Sequence, residues 1–193
     1  MLFQRRKKTK DLSDSEIIRL AKEDGFYFGE LYERYFEGIF RFIYYRLGKL
    51  EEEANDLTQQ TFIKAMNFLE KYEDRGLPFK SWLLRIAQNE VNQFFRAAKK
   101  QYQVDVSENK VQAMIEEILP NHELKEGQLQ LLLEILNHMD QEHLDLIELR
   151  FFQELSFKEI AEIYQITEAN AKMRIYRILE KLNNKWKDSY ENI

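Results

Sequence analysis

The stretch from Leu155 to Trp186 constrains this chain most, because its residues predict two helices joined by a tight turn. Ser156 and Glu159 form a capping box, in which the serine hydroxyl accepts the amide hydrogen of Glu159 and the carboxylate reaches back to the serine amide. The first helix is then expected from Phe157 to about Tyr164. Thr167 is a natural N-cap for a second, longer helix.

The second of these helices has two unlike faces. Apolar residues at spacings of three, four and seven predict a buried stripe made of Ile175, Ile178, Leu179, Leu182 and Trp186. Another stripe with the same spacing consists mostly of hydrogen-bond donors: Asn170, Met173, Arg174, Arg177 and Lys181. A second helix with a basic outer face is typical of a helix-turn-helix that binds DNA. A helical hairpin whose basic face is merely solvated would fit the same residues.

Charge is sharply segregated towards the C-terminus. Between residues 172 and 187, six basic residues accompany one acidic residue, whereas residues 103–171 contain four basic residues and fifteen acidic ones. A cationic helix on an anionic body can meet phosphate with one face and repel it with the others. The overall charge of −5 is therefore compatible with a nucleic-acid partner.

Composition narrows the fold and the chemistry. Six glycines and two prolines in 193 residues favour long helices over hairpins, so we expect an all-α fold. No apolar run is long enough to span a bilayer, and the basic residues 5–8 precede acidic residues, so neither membrane insertion nor a signal peptide is expected. The absence of cysteine fits a cytoplasmic protein, and the three histidines lack zinc-like spacing, so we expect no metal and no cofactor.

The N-terminal half predicts a helical bundle behind a loose basic tail, residues 1–10. A first helix is expected from Asp14 to about Ala21. The next, from Phe26 to about Leu47, is so rich in aromatic residues that it must be covered on several sides, and Gly48 ends it. A third helix is expected to begin near Glu51.

This third helix is predicted to have one buried and one polar stripe. The buried stripe comprises Leu57, Thr61, Ala65, Phe68 and Tyr72, widened by Phe62, Met66 and Leu69. The polar stripe comprises Asp56, Gln60, Lys64, Asn67 and Lys71, with Gln59 beside it. Asp56 is either a helix cap with Gln59 as its box partner or part of a polar protein-docking surface.

Residues 73–80 predict a loop, because Gly76 favours a turn and Pro78 forbids a helix through it. Ser81 is then expected to cap a helix that runs to about Lys100. Its polar side carries amide and cationic donors: Arg85, Gln88, Asn89, Asn92, Arg96, Lys99 and Lys100. Basic residues near a helix C-terminus are also ordinary partners of the helix dipole. A second donor-rich helix in the same chain favours a nucleic-acid contact.

Helical periodicity weakens after residue 101. We therefore expect two small helical domains, residues 1–101 and 128–193, joined by a flexible linker over residues 102–127. The C-terminal domain opens with a helix from Leu129 to Met139 and continues from Asp140 to Phe151 before the helix-turn-helix.

Taken together, the two domains resemble a bacterial RNA polymerase sigma factor of the extracytoplasmic-function (ECF) type. Five stretches carry the resemblance in the family's order: Glu30–Tyr35, Asp56–Phe62, Trp82–Asn89, Phe157–Ile163 and Ala171–Arg177. They extend across nearly the whole chain outside the tail and the linker. The sequence departs from the family pattern at Gln60 and Gln93, where acidic residues are usual, and at residues 170–173 of the second helix.

The resemblance implies a role for each domain. Region two of such proteins docks on core RNA polymerase, here through Asp56, Gln59 and Gln60. It also binds the melted promoter element, for which the candidate residues are Arg75, Lys80, Arg85, Asn89, Asn92, Arg96 and Lys99. Region four reads the upstream promoter element, with candidates Asn170, Lys172, Met173, Arg174, Arg177, Lys181 and Lys185. The resemblance also implies an anti-sigma factor as a further partner.

Two other functions remain compatible with the residues to different degrees. A stand-alone transcription regulator would use the same helix-turn-helix, with the N-terminal bundle as a dimerisation or sensor domain. An enzyme built on the bundle would need paired-carboxylate, phosphate-loop or nucleophile motifs, and the sequence offers none of these.

Overall fold

A computed structural model describes residues 11–98, 114 and 128–190. All regular elements within these ranges are helical, which confirms the predicted all-α class. The chain divides into two compact units, with the boundary after Ala98. None of the helices in the described ranges combines the length and apolar character that a membrane crossing requires.

The first unit contains four α-helices. These are α1 (Asp14–Glu23), α2 (Phe28–Arg46), α3 (Glu51–Phe68) and α4 (Phe79–Ala98), with short 3₁₀ turns at Gly25–Tyr27 and Leu69–Lys71. Helices α2, α3 and α4 pack against one another in all three pairs, and α1 packs against α2. Fully buried apolar residues fill the space between them, among them Leu31, Ile39, Phe42, Ile43, Ala65, Leu83, Leu84 and Val91.

Polar contacts fix the ends of this bundle. Tyr35 donates a hydrogen bond to Asp14, and Arg34 donates to the other oxygen of that carboxylate at 3.1 Å, so α1 is held on α2. Burial, with the Asp14 contact, raises the pKa of Tyr35, so its hydroxyl keeps the proton that it donates. Lys22 of α1 also donates to the carbonyl oxygen of Tyr72 at 2.8 Å, which anchors the start of the loop before α4.

Two expectations for this unit are wrong, and one of the two alternatives for Asp56 is excluded. Helix α4 begins at Phe79, directly after Pro78, and Ser81 lies inside the helix and is buried instead of capping it. Asp56 lies within α3 and does not cap it. In α3, Met66 and Phe68 are about half exposed, at 48% and 49%, although both were expected in the buried stripe.

The exposure of Met66 and Phe68 has a physical cause. Helix α3 packs against both α2 and α4, so its buried arc follows Leu57, Thr61 and Ala65. That contact does not extend to Met66, which follows the exposed Ile63 at helical spacing, or to Phe68, the last residue of α3 before the 3₁₀ segment.

The second unit contains α5 (Gln128–Asn137), α6 (Gln141–Ile147), α7 (Phe157–Tyr164) and α8 (Glu168–Tyr190). A π-helical turn, Glu148–Phe152, continues α6 towards α7. Helix α8 packs against α5, α6 and α7. The core between them includes Leu132, Leu136, Leu144, Leu149, Ile160, Ile175 and Leu182.

The helix-turn-helix has the local structure that its sequence predicts. Both halves of the Ser156–Glu159 capping box are present at the start of α7. Gln165 adopts a left-handed backbone conformation that ends α7, and the Thr167 hydroxyl accepts the amide hydrogen of Asn170 at 3.2 Å. The predicted stripe of α8 is buried in full: Ile175, Ile178, Leu179, Leu182 and Trp186.

The predicted tail and the predicted linker lie outside the described residues, apart from Met114, which is helical and buried. Lys99 also lies outside them. The domain boundaries drawn from the sequence, at residues 101 and 128, stay predictions.

The two capping boxes predict a matched pair of stability effects. Replacing the capping serine of α7, Ser156→Ala, removes the acceptor for the Glu159 amide, which is 3.2 Å away. We expect the second unit to lose about 1 kcal/mol of unfolding free energy, measured by denaturant titration. Ser13→Ala removes the equivalent acceptor from α1 and should weaken the first unit instead. Equal effects of either change on both units would contradict the assignment.

Candidate nucleic-acid interfaces

An open groove of about 440 Å³ lies between α3 and α4 on the surface of the first unit. Its lining combines cations, amides and aromatic rings, and consists of Lys64, Phe68, Lys71, Trp82, Arg85, Ile86, Asn89, Glu90, Gln93 and Arg96. Three of these residues, Arg85, Asn89 and Arg96, were predicted from sequence for the melted promoter element. The groove therefore brings part of that predicted set together.

Helical spacing explains why these side chains meet. Arg85, Asn89 and Arg96 follow one another at four and seven residues along α4, so they share one face. The opposite face of α4 is buried through Leu83, Leu84, Ala87 and Val91, which leaves the donor-rich face turned away from the core.

The floor of the groove contains an ion pair. Glu90 is almost fully buried, and Lys64 of α3 lies 2.6 Å from its carboxylate. This pair neutralises the acidic group in the groove, so Lys71, Arg85 and Arg96 give the lining a net positive charge. A positively charged groove attracts a nucleic-acid backbone.

Aromatic rings stand at one end of the groove. Phe68 is half exposed, and the Lys71 ammonium lies 5.8 Å from the centre of its ring. Trp82 packs on Tyr72 and Phe79, with ring centres 5.0 and 5.3 Å away. Since every base has a flat apolar face, an exposed ring beside cations is a platform on which unpaired bases stack.

The structure places the other predicted residues of this set elsewhere. The Asn92 side chain accepts a hydrogen bond from Gln88 at 3.0 Å, and Gln88 itself is buried against Arg46. Arg75 pairs with Glu73 at 3.3 Å in the loop before α4. Neither Asn92, Arg75 nor Lys80 lines the groove.

Sequence reasoning missed several lining residues. Lys64 and Lys71 were placed on the polar stripe of α3 without a link to α4, and Phe68 was placed in the core. The available signal was the spacing of seven between the two lysines, which predicts a shared face in a continuous helix. In the structure Lys64 lies on α3 and Lys71 in the 3₁₀ turn that follows it.

A second surface lies on the exposed face of α3. Asp56, Gln59 and Gln60, predicted to dock on polymerase, are all exposed. Ile63 and Met66 continue the same face at helical spacing and are 54% and 48% exposed. The surface is thus polar at one end and apolar at the other, which is typical of protein-docking patches.

The third surface is the outer face of α8. Lys172, Met173, Arg177 and Lys181 are exposed, in keeping with the face predicted from sequence. Asn170 and Arg174 are partly buried and contact each other, because the Arg174 Nε donates to the Asn170 Oδ1 at 3.1 Å. Arg174 also pairs with Glu142 of α6 at 2.7 Å.

Two family models match the chain. Sigma-70 region 2 matches residues 31–101, and Sigma-70 region 4 matches residues 135–184. The first match contains the groove and the exposed face of α3, and the second contains the helix-turn-helix.

Individual ECF sigma factors are also similar to this chain in sequence. The ECF RNA polymerase sigma factor SigW of Bacillus subtilis is 31% identical over 181 residues, which cover 89% of this chain and 95% of SigW. The ECF RNA polymerase sigma factor BldN of Streptomyces coelicolor is 30% identical over 155 residues, which cover 80% of this chain but 58% of BldN.

A solved structure of the sigma factor RpoE with the anti-sigma factor NepR, from Bartonella quintana, has a similar fold. The TM-score is 0.55 over 83% of this chain and 96% of that one, at 20% identity. The two family matches and the SigW identity over most of both chains lead to one conclusion: this chain belongs to the ECF sigma factors, non-enzymatic proteins that direct promoter recognition by RNA polymerase.

Proposed function

We propose that three separate surfaces divide the work of promoter recognition. The α3–α4 groove binds the melted promoter strand, the outer face of α8 binds the upstream element as duplex, and the exposed face of α3 docks on core polymerase. The observation that carries the proposal is the groove, because it places an exposed ring next to three cations on the domain that matches region 2.

The groove suits a single strand better than a duplex. Its lining offers one ring for stacking and separate cations for backbone phosphates, which is how proteins hold unpaired nucleotides. The amides of Asn89 and Gln93 add donors and acceptors for the edge of an unstacked base. Gln93 stands where the family usually has an acidic residue, and in this groove it removes a charge that would repel phosphate.

The face of α8 suits a duplex. Exposed Arg177 can present two donors to a guanine edge, whereas Lys172 and Lys181 on neighbouring turns suit phosphates. The second helix of a helix-turn-helix fits the major groove of DNA, and its buried stripe fixes which side chains point outward.

The exposed face of α3 suits a protein partner. Ile63 and Met66 would bury apolar area, while Asp56, Gln59 and Gln60 supply hydrogen bonds at the rim. The uncharged Gln60 leaves Asp56 as the acidic group of this trio.

The same surfaces would be the target of an anti-sigma factor, which silences a sigma factor by covering them. The similarity to an RpoE structure that contains the anti-sigma factor NepR supports this partner. A cytoplasmic location follows from the proposed function, because core polymerase and promoter DNA are found there.

Run-off transcription tests the proposed function as a whole. Core polymerase with this protein should produce discrete transcripts from fragmented genomic DNA of the source organism, and core polymerase alone should not. Arg177→Ala should weaken or abolish them while core binding stays intact, because one specific base contact contributes about 1–3 kcal/mol. Specific binding of duplex fragments by the protein alone, without any transcript, would support the stand-alone regulator instead.

Ile63→Asp tests the docking face. A charge placed in the apolar part of this face should weaken binding to core polymerase by about tenfold or more, since a central apolar contact contributes more than about 1 kcal/mol. Fluorescence anisotropy of labelled protein measures the change. Tyr45→Asp is the matched control, because it puts the same charge on an exposed apolar residue of α2 (41% exposed). Equal losses in both variants would contradict the assignment.

Phe68→Ala tests the groove. Loss of the stacking ring should reduce the free energy of holoenzyme binding to a promoter with a pre-melted bubble by about 1–3 kcal/mol, with a smaller loss on fully paired DNA.

Lys71→Ala tests the phosphate contact in the same groove. It should lower the slope of log affinity against log salt concentration by about 0.7, the value for one phosphate on a single strand. Arg41→Ala removes an exposed cation from α2 outside the groove and should leave both quantities unchanged.

A further inference from the structure

The Arg174 guanidinium is already engaged by two side chains of its own domain. Its Nε donates to Asn170 Oδ1 at 3.1 Å, and its Nη1 donates to Glu142 Oε1 at 2.7 Å. Asn170 lies one turn earlier on α8, whereas Glu142 lies in the first turn of α6, thirty-two residues away in sequence. The second contact therefore ties the recognition helix to a different helix.

This arrangement limits how Arg174 can contact a base. Arginine reads guanine with two neighbouring N–H groups, one to O6 and one to N7. The fork formed by Nε and Nη2 shares its Nε with Asn170, and the fork formed by Nη1 and Nη2 shares its Nη1 with Glu142. Three of the five guanidinium N–H groups are left for DNA. A two-donor contact through the Nε–Nη2 fork therefore requires Arg174 to release Asn170, and one through the Nη1–Nη2 fork places the guanine acceptors beside the Glu142 carboxylate, which repels them.

The Glu142 contact can be exchanged at modest cost. The side chains of Glu142 and Arg174 are 60% and 37% exposed, and an ion pair this accessible changes an equilibrium constant by only about two- to fivefold. A mismatched base pair costs more than this ion pair contributes, so a correct base contact can compensate for losing the Glu142 contact.

We propose that Glu142 is a specificity-determining residue of the upstream-element interface, acting as an internal competitor for Arg174. This inference rests on the proposed role of α8 in duplex binding. A phosphate offers Arg174 charge attraction at every position along DNA, and Glu142 offsets that attraction by giving the guanidinium an anionic partner on the protein. A guanine at the matching position offers two aligned acceptors, which repay the exchange. Glu142 therefore suppresses binding to unrelated sequences more than binding to the correct one.

Asn170 contributes to the same competition by orienting the Arg174 guanidinium. Its amide oxygen holds the Nε, so the guanidinium plane stays fixed while its other nitrogens change partner.

The test uses the full-length chain with core polymerase and a duplex promoter library whose upstream window is randomised. Sequencing of the bound fraction gives the preference of each variant at every position of the window. Glu142→Gln keeps a hydrogen-bond acceptor but removes the charge. We expect it to raise binding to unrelated duplex about two- to fivefold, and to lower the preference for guanine at one position by a similar factor, from the strength of an exposed ion pair.

A double-mutant cycle decides whether the effect runs through Arg174. In an Arg174→Ala background, Glu142→Gln should change neither quantity, because the competitor has lost its target. Glu180→Gln makes the same charge change on α8 six residues from Arg174, on another side of the helix, and should leave the guanine preference unaltered.

Three results would overturn the proposal. Glu142→Gln could leave the base preference unchanged, it could act equally in the Arg174→Ala background, or Glu180→Gln could reproduce its effect. A wild-type library with no preferred sequence at all would instead refute the proposed role of α8, and so the two failures are distinguishable.

Discussion

The packing of α4 against α2 and α3 is the constraint on which the N-terminal interface depends. One face of α4 is buried through Leu83, Leu84, Ala87 and Val91, and burial of a leucine or valine side chain stabilises a fold by roughly 1.5–3 kcal/mol. Because the helix cannot rotate without exposing them, its other face is fixed outward. The Gln88–Arg46 contact, inside the bundle and beside Phe42, adds a polar lock between α4 and α2. The donor-rich side of the groove is therefore held in position by apolar contacts on the opposite face of the same helix.

In the second domain, too, burial of one helix face fixes the direction of the opposite face, here on α8. The buried stripe of α8 packs against α5, α6 and α7, so the outer stripe has a defined direction. The Ser156 box and the left-handed Gln165 fix where α7 begins and ends, and hence the angle at which α8 leaves the turn. Contact between α8 and α6 also brings Glu142 within reach of Arg174. Packing therefore supplies both the surface that we propose meets DNA and the acidic group that pairs with Arg174.

Local signals in the sequence predicted some features well. The capping box at Ser156, the cap at Thr167 and the buried stripe of α8 depend on residues within two or three turns of one another, and all are present. Ser81 was expected to cap α4, whereas α4 begins at Phe79, directly after Pro78, so Ser81 lies inside the helix. The exposure of Phe68 depends on how α3 ends against its neighbours, which helical periodicity does not encode, whereas Met66 lies at helical spacing from the exposed Ile63. Likewise, the Lys64–Glu90 and Glu142–Arg174 pairs join residues 26 and 32 positions apart, so no spacing rule could reveal them.

The central claim is that the α3–α4 groove holds the melted promoter strand, and site-specific crosslinking tests it most directly. A photoreactive phenylalanine analogue at position 68, in holoenzyme bound to an open promoter, should crosslink to the unpaired region of one DNA strand. Before melting, at low temperature, the same probe should give little DNA product. Crosslinks to polymerase, or to upstream duplex with equal yield before and after melting, would contradict the account.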